Sequence, residues 1–456
     1  MSAALLPVLL FCSQLSLQEV FDGLPHHPGW ISAAAAVDRA EGERESARGA
    51  FDVLTKVTGQ AAPLGSWRKG ASTATVGQAL PVWGRPSVEL GYRYGEDFPG
   101  WSGERLTSSL GEVRAKASLA LAKGLWIDPD RAALQQSEQS IEAANARLDE
   151  TRLKLAERAT TAYWTWVAAG HITQVEEELL QAAEVRQRAL ERQAETGAIA
   201  EIILTENRRL VFSRRALVIE ARQQWQSASY ELAYYFRDQN GDMIFPGQDG
   251  LPGIEQSLFS EIPLREAEQL TNTRPELRVI DARLEQYRVQ QRLAENQLLP
   301  SIDTSVSLSQ DLGNARLAGP DTTSNQTEVY LGVSMSLPVQ RRVAKGKAQQ
   351  ARARHQVLLQ TRRQSQDRLL LRVRDSYQLV QAAERSVQLA AEARQAAEAV
   401  TEAERRRFAE GQSDLLAVNL REQATASETR KWIRAWAKLQ QARMLYRLAA
   451  GVLKMS

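Results

Sequence analysis

Four histidines, His26, His27, His171 and His355, and a lone cysteine, Cys12, are the residues best suited to metal or nucleophilic chemistry. Their spacing supplies none. Such sites need several of these groups converging in a motif, and here they are scattered along the chain. No phosphate loop, nucleophile elbow or HExxH pair occurs. The sequence offers no catalytic, cofactor-binding or metal-binding residues, so an enzyme is not expected. The 57 basic and 55 acidic residues are finely interspersed, with a net charge of +2, which argues against a nucleic-acid partner. A single cysteine rules out a disulfide framework.

The charges must therefore decorate structure, and proline positions show which. No proline occurs from 130 to 245 or from 339 to 456, and both tracts are rich in Ala, Leu, Gln, Glu and Arg. Those are strong helix formers. Stretches such as "LDETRLKLAERATTAYWTWVAA" space apolar residues three and four apart, as an amphipathic helix does. Each tract sets a glycine, Gly197 and Gly411, about two-thirds of the way along, where a helix could end and reverse. Glycine just past a helix C-terminus accepts positive φ without strain. Arg405, Arg406 and Arg407 suit the negative end of a helix dipole before Gly411, and Asp414 suits the start of the next helix. Each tract reads as an antiparallel helical hairpin whose incoming arm is roughly 100 Å long. The aromatic cluster Tyr163, Trp164 and Trp166 falls mid-helix and is expected to pack between helices, with His171 structural or exposed.

Upstream of each tract the periodicity changes to two. "SIDTSVSLSQ" sets Ile302, Thr304, Val306 and Leu308 opposite Asp303, Ser305, Ser307 and Ser309. "EVYLGVSMSLPV" sets Val329, Leu331, Val333, Met335 and Leu337 opposite Tyr330, Gly332, Ser334 and Ser336. "RPSVELGYRYGEDF" and "EVRAKASLAL" repeat the arrangement in the first half, aligning Pro86 with Pro300 and Glu112 with Glu328. The helices opening at Pro28 and Pro275 also correspond. The first half carries an insert between Phe51 and Pro86, alternating and Gly-rich, which reads as an added β-hairpin or strand-rich loop.

The chain is thus a twofold repeat. Residues 1–22 are read as a signal peptide and N-terminal segment, because the apolar run Ala3–Phe11 has secretory length and is too short to span a bilayer. Phe11 before Cys12 argues against lipidation, which wants a small residue there. The first repeat covers 23–250: a helix over 28–50, strands within 52–121, and a helical hairpin over 129–237 turning near 197. A linker follows at 251–274. The second repeat covers 275–456: a helix over 275–298, strands at 300–311 and 327–338, and a hairpin over 340–451 turning near 411.

One strand face is apolar, the other carries Ser, Gly, Asp and Thr, and aromatics gather at the strand ends: Trp83, Tyr92, Tyr94, Trp101, Trp126 and Tyr330. An outward apolar band, polar interior and aromatic girdles describe an outer-membrane barrel, with these aromatics at the membrane interface. Two strand pairs per chain cannot close a barrel, since about eight strands are needed and lipid forbids open edges. Three copies give about twelve, or slightly more with the insert. The expected fold is mainly α with a β-barrel part: a homotrimeric barrel continued by an α-helical barrel.

At this point the sequence resembles the TolC-like outer-membrane efflux proteins. The resemblance rests on the repeat, on "SLPVQRRVAKGKAQQA" and "SLALAKGLWIDPDRAAL", on the turns "FAEGQSDLLAVNLREQ" and "AETGAIAEIILTENRR", and on "QQARMLYRLAAG" near the end. It implies an outer-membrane exit duct of a tripartite efflux or type I secretion system in a Gram-negative bacterium. The implied partners are a periplasmic adaptor and an inner-membrane pump, with outer-membrane lipid around the barrel. In that family the helical turns form the periplasmic tip. Gly197, Ala198, Ile199, Gly411, Gln412 and Ser413 would then be tip residues that dock an adaptor. Glu201, Glu206, Arg208, Asp414, Arg421 and Glu422 would be candidates for a constriction. Some members carry an acidic ring at the positions held here by Ala417 and Leu420, so that ring is absent. A coiled-coil scaffold would leave the serine-faced strands idle, and an adaptor usually has one hairpin rather than two.

Overall fold

The computed structural model describes residues 14–62, 69–96, 107–254, 262–314 and 327–452. Two compact units share the chain: a sheet unit, residues 36–145 and 278–363, and a helical unit, residues 1–35, 146–277 and 364–456. Two very long helices, α3 (Pro129–Glu195) and α7 (Arg342–Ala409), contribute residues to both.

The sheet unit holds six antiparallel strands in chain order, β1 (Leu54–Ala62), β2 (Lys69–Ala79), β3 (Ser87–Glu96), β4 (Glu112–Ala120), β5 (Ser301–Asp311) and β6 (Thr327–Ser336). The insert between Phe51 and Pro86 therefore supplies two full strands of the same sheet, which raises the strand count per chain beyond the two pairs read from the repeat. Every strand is 9 to 11 residues long. Register carries the period of two across the sheet. Val57, Ala74, Tyr92, Val113 and Gln310 lie in one row, and Val76, Leu90, Ala115, Leu308 and Val329 in the next. The opposite face carries Lys56, Glu89, Arg93, Arg114, Lys116, Asp303 and Glu328. A slip of one residue in any pair would exchange the two faces.

At one end of the strands the chain turns into helix under tight control. Gly84 has φ +72, and a Cβ there would meet the Leu119 side chain at 2.2 Å, so only glycine fits. Its N–H donates to Leu125 O at 2.8 Å, and the Ala120 N–H donates to Gly84 O at 2.9 Å. Buried Arg131, in the first turn of α3, pairs with Asp128 and donates to Val82 O at 3.0 Å. Helix α6 (Pro275–Asn296) reaches the same junction, where Gly124 N–H donates to Asn296 Oδ1 at 2.9 Å. The apolar contacts here are small: Ile127, Ala132 and Val289 in one cluster, and Ala294, Ala348 and Ala351 in another.

The helical unit is built from the remainder of α3 and α7, from α4 (Glu201–Ala233) and α8 (Leu415–Ala449), and from short segments that brace them. Its main core joins Tyr163, Trp166 and Val167 of α3 to Leu232 of α4 and to Trp436, Met444 and Leu448 of α8. Trp166 is fully buried, and Trp164 stacks edge-on against Trp436 at 5.3 Å. A second cluster joins Val373 and Val380 of α7 to Leu439 and Tyr446 of α8, with Ala267 of α5 (Leu264–Leu270) beside them. His171 is structural, with a ring nitrogen 2.8 Å from Pro252 O.

The described part of the N-terminal segment packs into this core. Leu15, Leu17, Val20 and Phe21 belong to the main core, and α1 (Leu17–Gly23) starts with a capping box between Ser16 and Glu19. Tyr163 Oη donates to Leu15 O at 2.7 Å. Residues 14–22 thus form part of the helical unit's packing. The apolar run Ala3–Phe11 and Cys12 lie outside the described residues.

Candidate membrane face and helical tips

Two regions carry the functional expectations: the sheet surface and the helix turns. On the sheet, the apolar face is left open to its surroundings. Val57 is 74% exposed, Leu331 79% and Val333 75%, with Val88, Leu90, Val113, Val306, Leu308, Val329 and Met335 also exposed. A sheet in water buries such a face against helices. Here the helices of the unit pack on the strand ends and on one another. Among the described residues no helix is long and apolar enough to cross a membrane. Strands of 9 to 11 residues are the length that crosses one when tilted.

Aromatics stand at both ends of this band. Trp83 and Trp126 lie at the helix-joined end, edge-to-face at 6.4 Å and well exposed. Tyr92 and Tyr94 lie toward the other end of β3 on the apolar face, and Tyr92 Oη donates to Leu110 O at 2.7 Å. Tyr330 is different. It shares the polar face with Ser307 and Lys116 and donates to Glu328. Trp101 lies outside the described residues.

The two helix turns are the same motif. Gly197 has φ +72 and Gly411 φ +73. In the first, Gly197 N–H donates to Ala194 O and Ala198 N–H to Gln193 O, both at 2.9 Å. In the second, Gly411 N–H donates to Phe408 O at 3.1 Å and Gln412 N–H to Arg407 O at 2.8 Å. Both are paired Schellman bonds, which satisfy the last carbonyls of α3 and α7. Gly197, Ala198, Gly411 and Gln412 are exposed, and Ile199 and Ser413 half-buried. The restart differs between turns. Asp414 Oδ1 accepts from Ala417 N–H at 2.7 Å and caps α8, whereas Ala200, at the N-cap of α4, offers no side-chain cap. Glu201, Glu206, Arg208 and Arg421 are exposed, as is Asp414.

Glu422 sits elsewhere. It is 6% exposed, packed between helices, and accepts from Arg186 of α3 at 2.7 Å and from Arg405 of α7 at 3.0 Å. Arg186 also donates to Asn419 Oδ1 at 2.6 Å. One layer along, Arg430 of α8 pairs with buried Glu176 of α3. Buried Arg214 of α4 completes the group: burial lowers its pKa, while Glu176 and Glu422 favour its charge. Glu422 thus ties α8 to α3 and α7, and the Arg430–Glu176 pair ties α8 to α3 again, with Arg214 of α4 buried near both carboxylates. The turns must lie side by side, since Arg186 and Glu422 stand equally far in sequence from Gly197 and Gly411. Periodicity could not have announced this network, because a buried Arg or Glu reads in sequence like any solvated charge. Among the described residues no group of three or more His, Cys, Asp or Glu could hold a metal ion.

Comparison with known proteins agrees with this geometry. Residues 267–451 match the family described as outer membrane efflux protein. The chain is similar to the outer membrane protein VceC of Vibrio cholerae, at 17% identity and TM-score 0.67 over 96% of each chain. It is similar to the CmeC outer membrane channel of Campylobacter jejuni, at 13% identity and TM-score 0.66 over 95% of this chain and 85% of that one. It is also similar to the open state of the MtrE outer membrane channel of Neisseria gonorrhoeae, at 15% identity and TM-score 0.66, over 96% and 89%. No curated protein sequence matches. The second half carries the signature of outer membrane efflux proteins, and the fold over nearly the whole chain is shared with solved outer-membrane channels. The resemblance to TolC-like proteins and the reading as an outer-membrane efflux channel agree with this match and with the shared fold. Proteins of this family work with a periplasmic adaptor and an inner-membrane pump.

Proposed function

We propose that three copies of this chain form a passive exit duct in the outer membrane, with their sheets closing one barrel and their helices enclosing a periplasmic tunnel. The observation that carries the reading is the two-faced sheet: an exposed apolar band of membrane-crossing length, backed by a face of Lys, Arg, Glu, Asp and Ser. That is lipid outside and water inside. A single sheet with two free edges cannot stand in hydrocarbon, so copies must complete it. Exposed apolar residues on α4, among them Phe212, Ile219 and Tyr230, supply a matching seam for neighbouring helices.

In this reading the paired turns at Gly197–Ile199 and Gly411–Ser413 form the tip that meets the adaptor. The exposed charges Glu201, Glu206, Arg208, Asp414 and Arg421 line the constriction, and Glu422 braces the hairpins behind them. Membrane fractionation tests the reading. The chain is expected in outer-membrane fractions as a species that runs as a trimer unheated and as a monomer after boiling. A freely soluble monomer would refute it.

A further inference from the structure

The extra strands of the first repeat change how such a barrel closes. We propose that the seam between copies joins β1 of one chain to β6 of the next, so that three six-stranded sheets make a ring of three times six, or eighteen, strands. The inference rests on the trimeric channel proposed above and fixes its edges. Repeat counting alone gives about twelve strands, with β3 and β6 as the meeting edges. That edge of β3 is taken: β2 pairs with it continuously from Gly70↔Glu96 to Ala79↔Ser87. A twelve-strand ring would have to strip this ladder away and leave β1 and β2 unpaired with β3.

Several features show that β1 and β2 are wall rather than appendage. At 9 and 11 residues they match the other strands in length. Both faces continue onto them without a break, with Val57 and Val76 on the apolar side and Lys56 on the charged side. The connection from β2 to β3 is pinned by the Gly84 bonds, and the Gln78 side chain donates to Phe51 O at 3.0 Å, fastening the start of β1. An even number of strands makes β1 and β6 antiparallel to each other, so rotation about a common axis brings them together with the correct polarity. In lipid, unpaired edge N–H and C=O groups are too costly to leave open. Barrel diameter grows roughly linearly with strand number, so this ring is about 1.5 times wider than a twelve-strand one, in the range that holds an aqueous channel.

Cysteine cross-linking in outer-membrane vesicles separates the two seams. In a Cys12→Ser background, Val57→Cys is combined in turn with Leu331→Cys, Val333→Cys and Met335→Cys, all on the apolar face. A parallel series uses Leu90→Cys of β3 with the same β6 partners. After oxidation with a lipid-soluble copper complex, covalent dimers and trimers are expected in the β1 series at one or two positions, and none in the β3 series. Cross-links in the β3 series alone would overturn the wide ring and leave the trimeric channel standing. Cross-links in neither series would overturn both. Ring diameter in averaged end-on images of the unsubstituted protein gives a second readout: about 1.5-fold the width of a twelve-strand barrel is expected, and a ratio near one contradicts the seam.

Discussion

Gly411 turns the chain at φ +73 with open space around it, so its importance lies in backbone conformation alone. Gly411→Ala should cost about 1 kcal/mol, and Gly411→Asn less, because Asn enters the left-handed region more readily. Thermal melts of the purified protein check the order; equal melting of both variants would remove the conformational role. Glu422 is a different kind of residue, a buried charge shared by two arginines. Glu422→Gln takes the carboxylate from Arg186 and Arg405; Arg186 keeps Asn419 and Arg405 is half-exposed, so the loss should be about 1 to 2 kcal/mol. Faster amide exchange is expected around 405–425, while the sheet stays unchanged. His27 supplies the pH dependence. It is buried, its Nδ1 accepts from Gly29 N–H at 2.9 Å, and burial with nearby Arg237 pulls its pKa below the usual 6.5. The unfolded chain then takes up a proton that the fold refuses, so stability held above pH about 6.5 is lost as pH falls below it. His27→Asn keeps an acceptor and cannot titrate. It should flatten the acid side of the stability profile, measured by melting between pH 5 and 7.5.

At the scale of elements, the strand β6 carries the sharpest contrast. Leu331 and Ser334 are near neighbours on opposite faces. Leu331→Arg places a charge in the apolar band and should weaken membrane insertion by about 2 to 4 kcal/mol. Ser334→Arg joins Glu328 and Lys116 on the wet face and should assemble normally, as read by the yield of heat-modifiable protein. What was legible in sequence follows from the same geometry. Alternation over 301–311 and 327–336 is strong because Ser and Asp answer Val and Leu at each step, so both strands could be read. Gly197 and Gly411 could be read because a break in a helix has few chemical solutions. The Gly- and Thr-rich β1 and β2 alternate weakly, and their place in the same sheet depends on partners far along the chain. The place of Leu15–Phe21 in the core depends on partners such as Tyr163 and Trp166 far along the chain, which local pattern cannot supply. Tyr330 shows two sequence signals at odds: an aromatic at a strand end suits a membrane interface, while residue parity sets it with Ser334 on the polar face. Glu422 shows the limit in helices, where a face can be read and its neighbours cannot.

At the scale of the molecule, the proposed duct needs more than one chain. In that proposal the apolar sheet surface, the two outer strand edges and the exposed apolar residues on α4 are covered by further copies and lipid. The most direct test places spin labels one at a time at each position from Glu328 to Met335 in outer-membrane vesicles and measures collision with oxygen and with a water-soluble nickel complex. The account predicts alternation: Val329, Leu331, Val333 and Met335 reached by oxygen from the lipid, and Glu328, Tyr330, Gly332 and Ser334 reached by nickel from the water. Uniform access of nickel to all eight positions would contradict it.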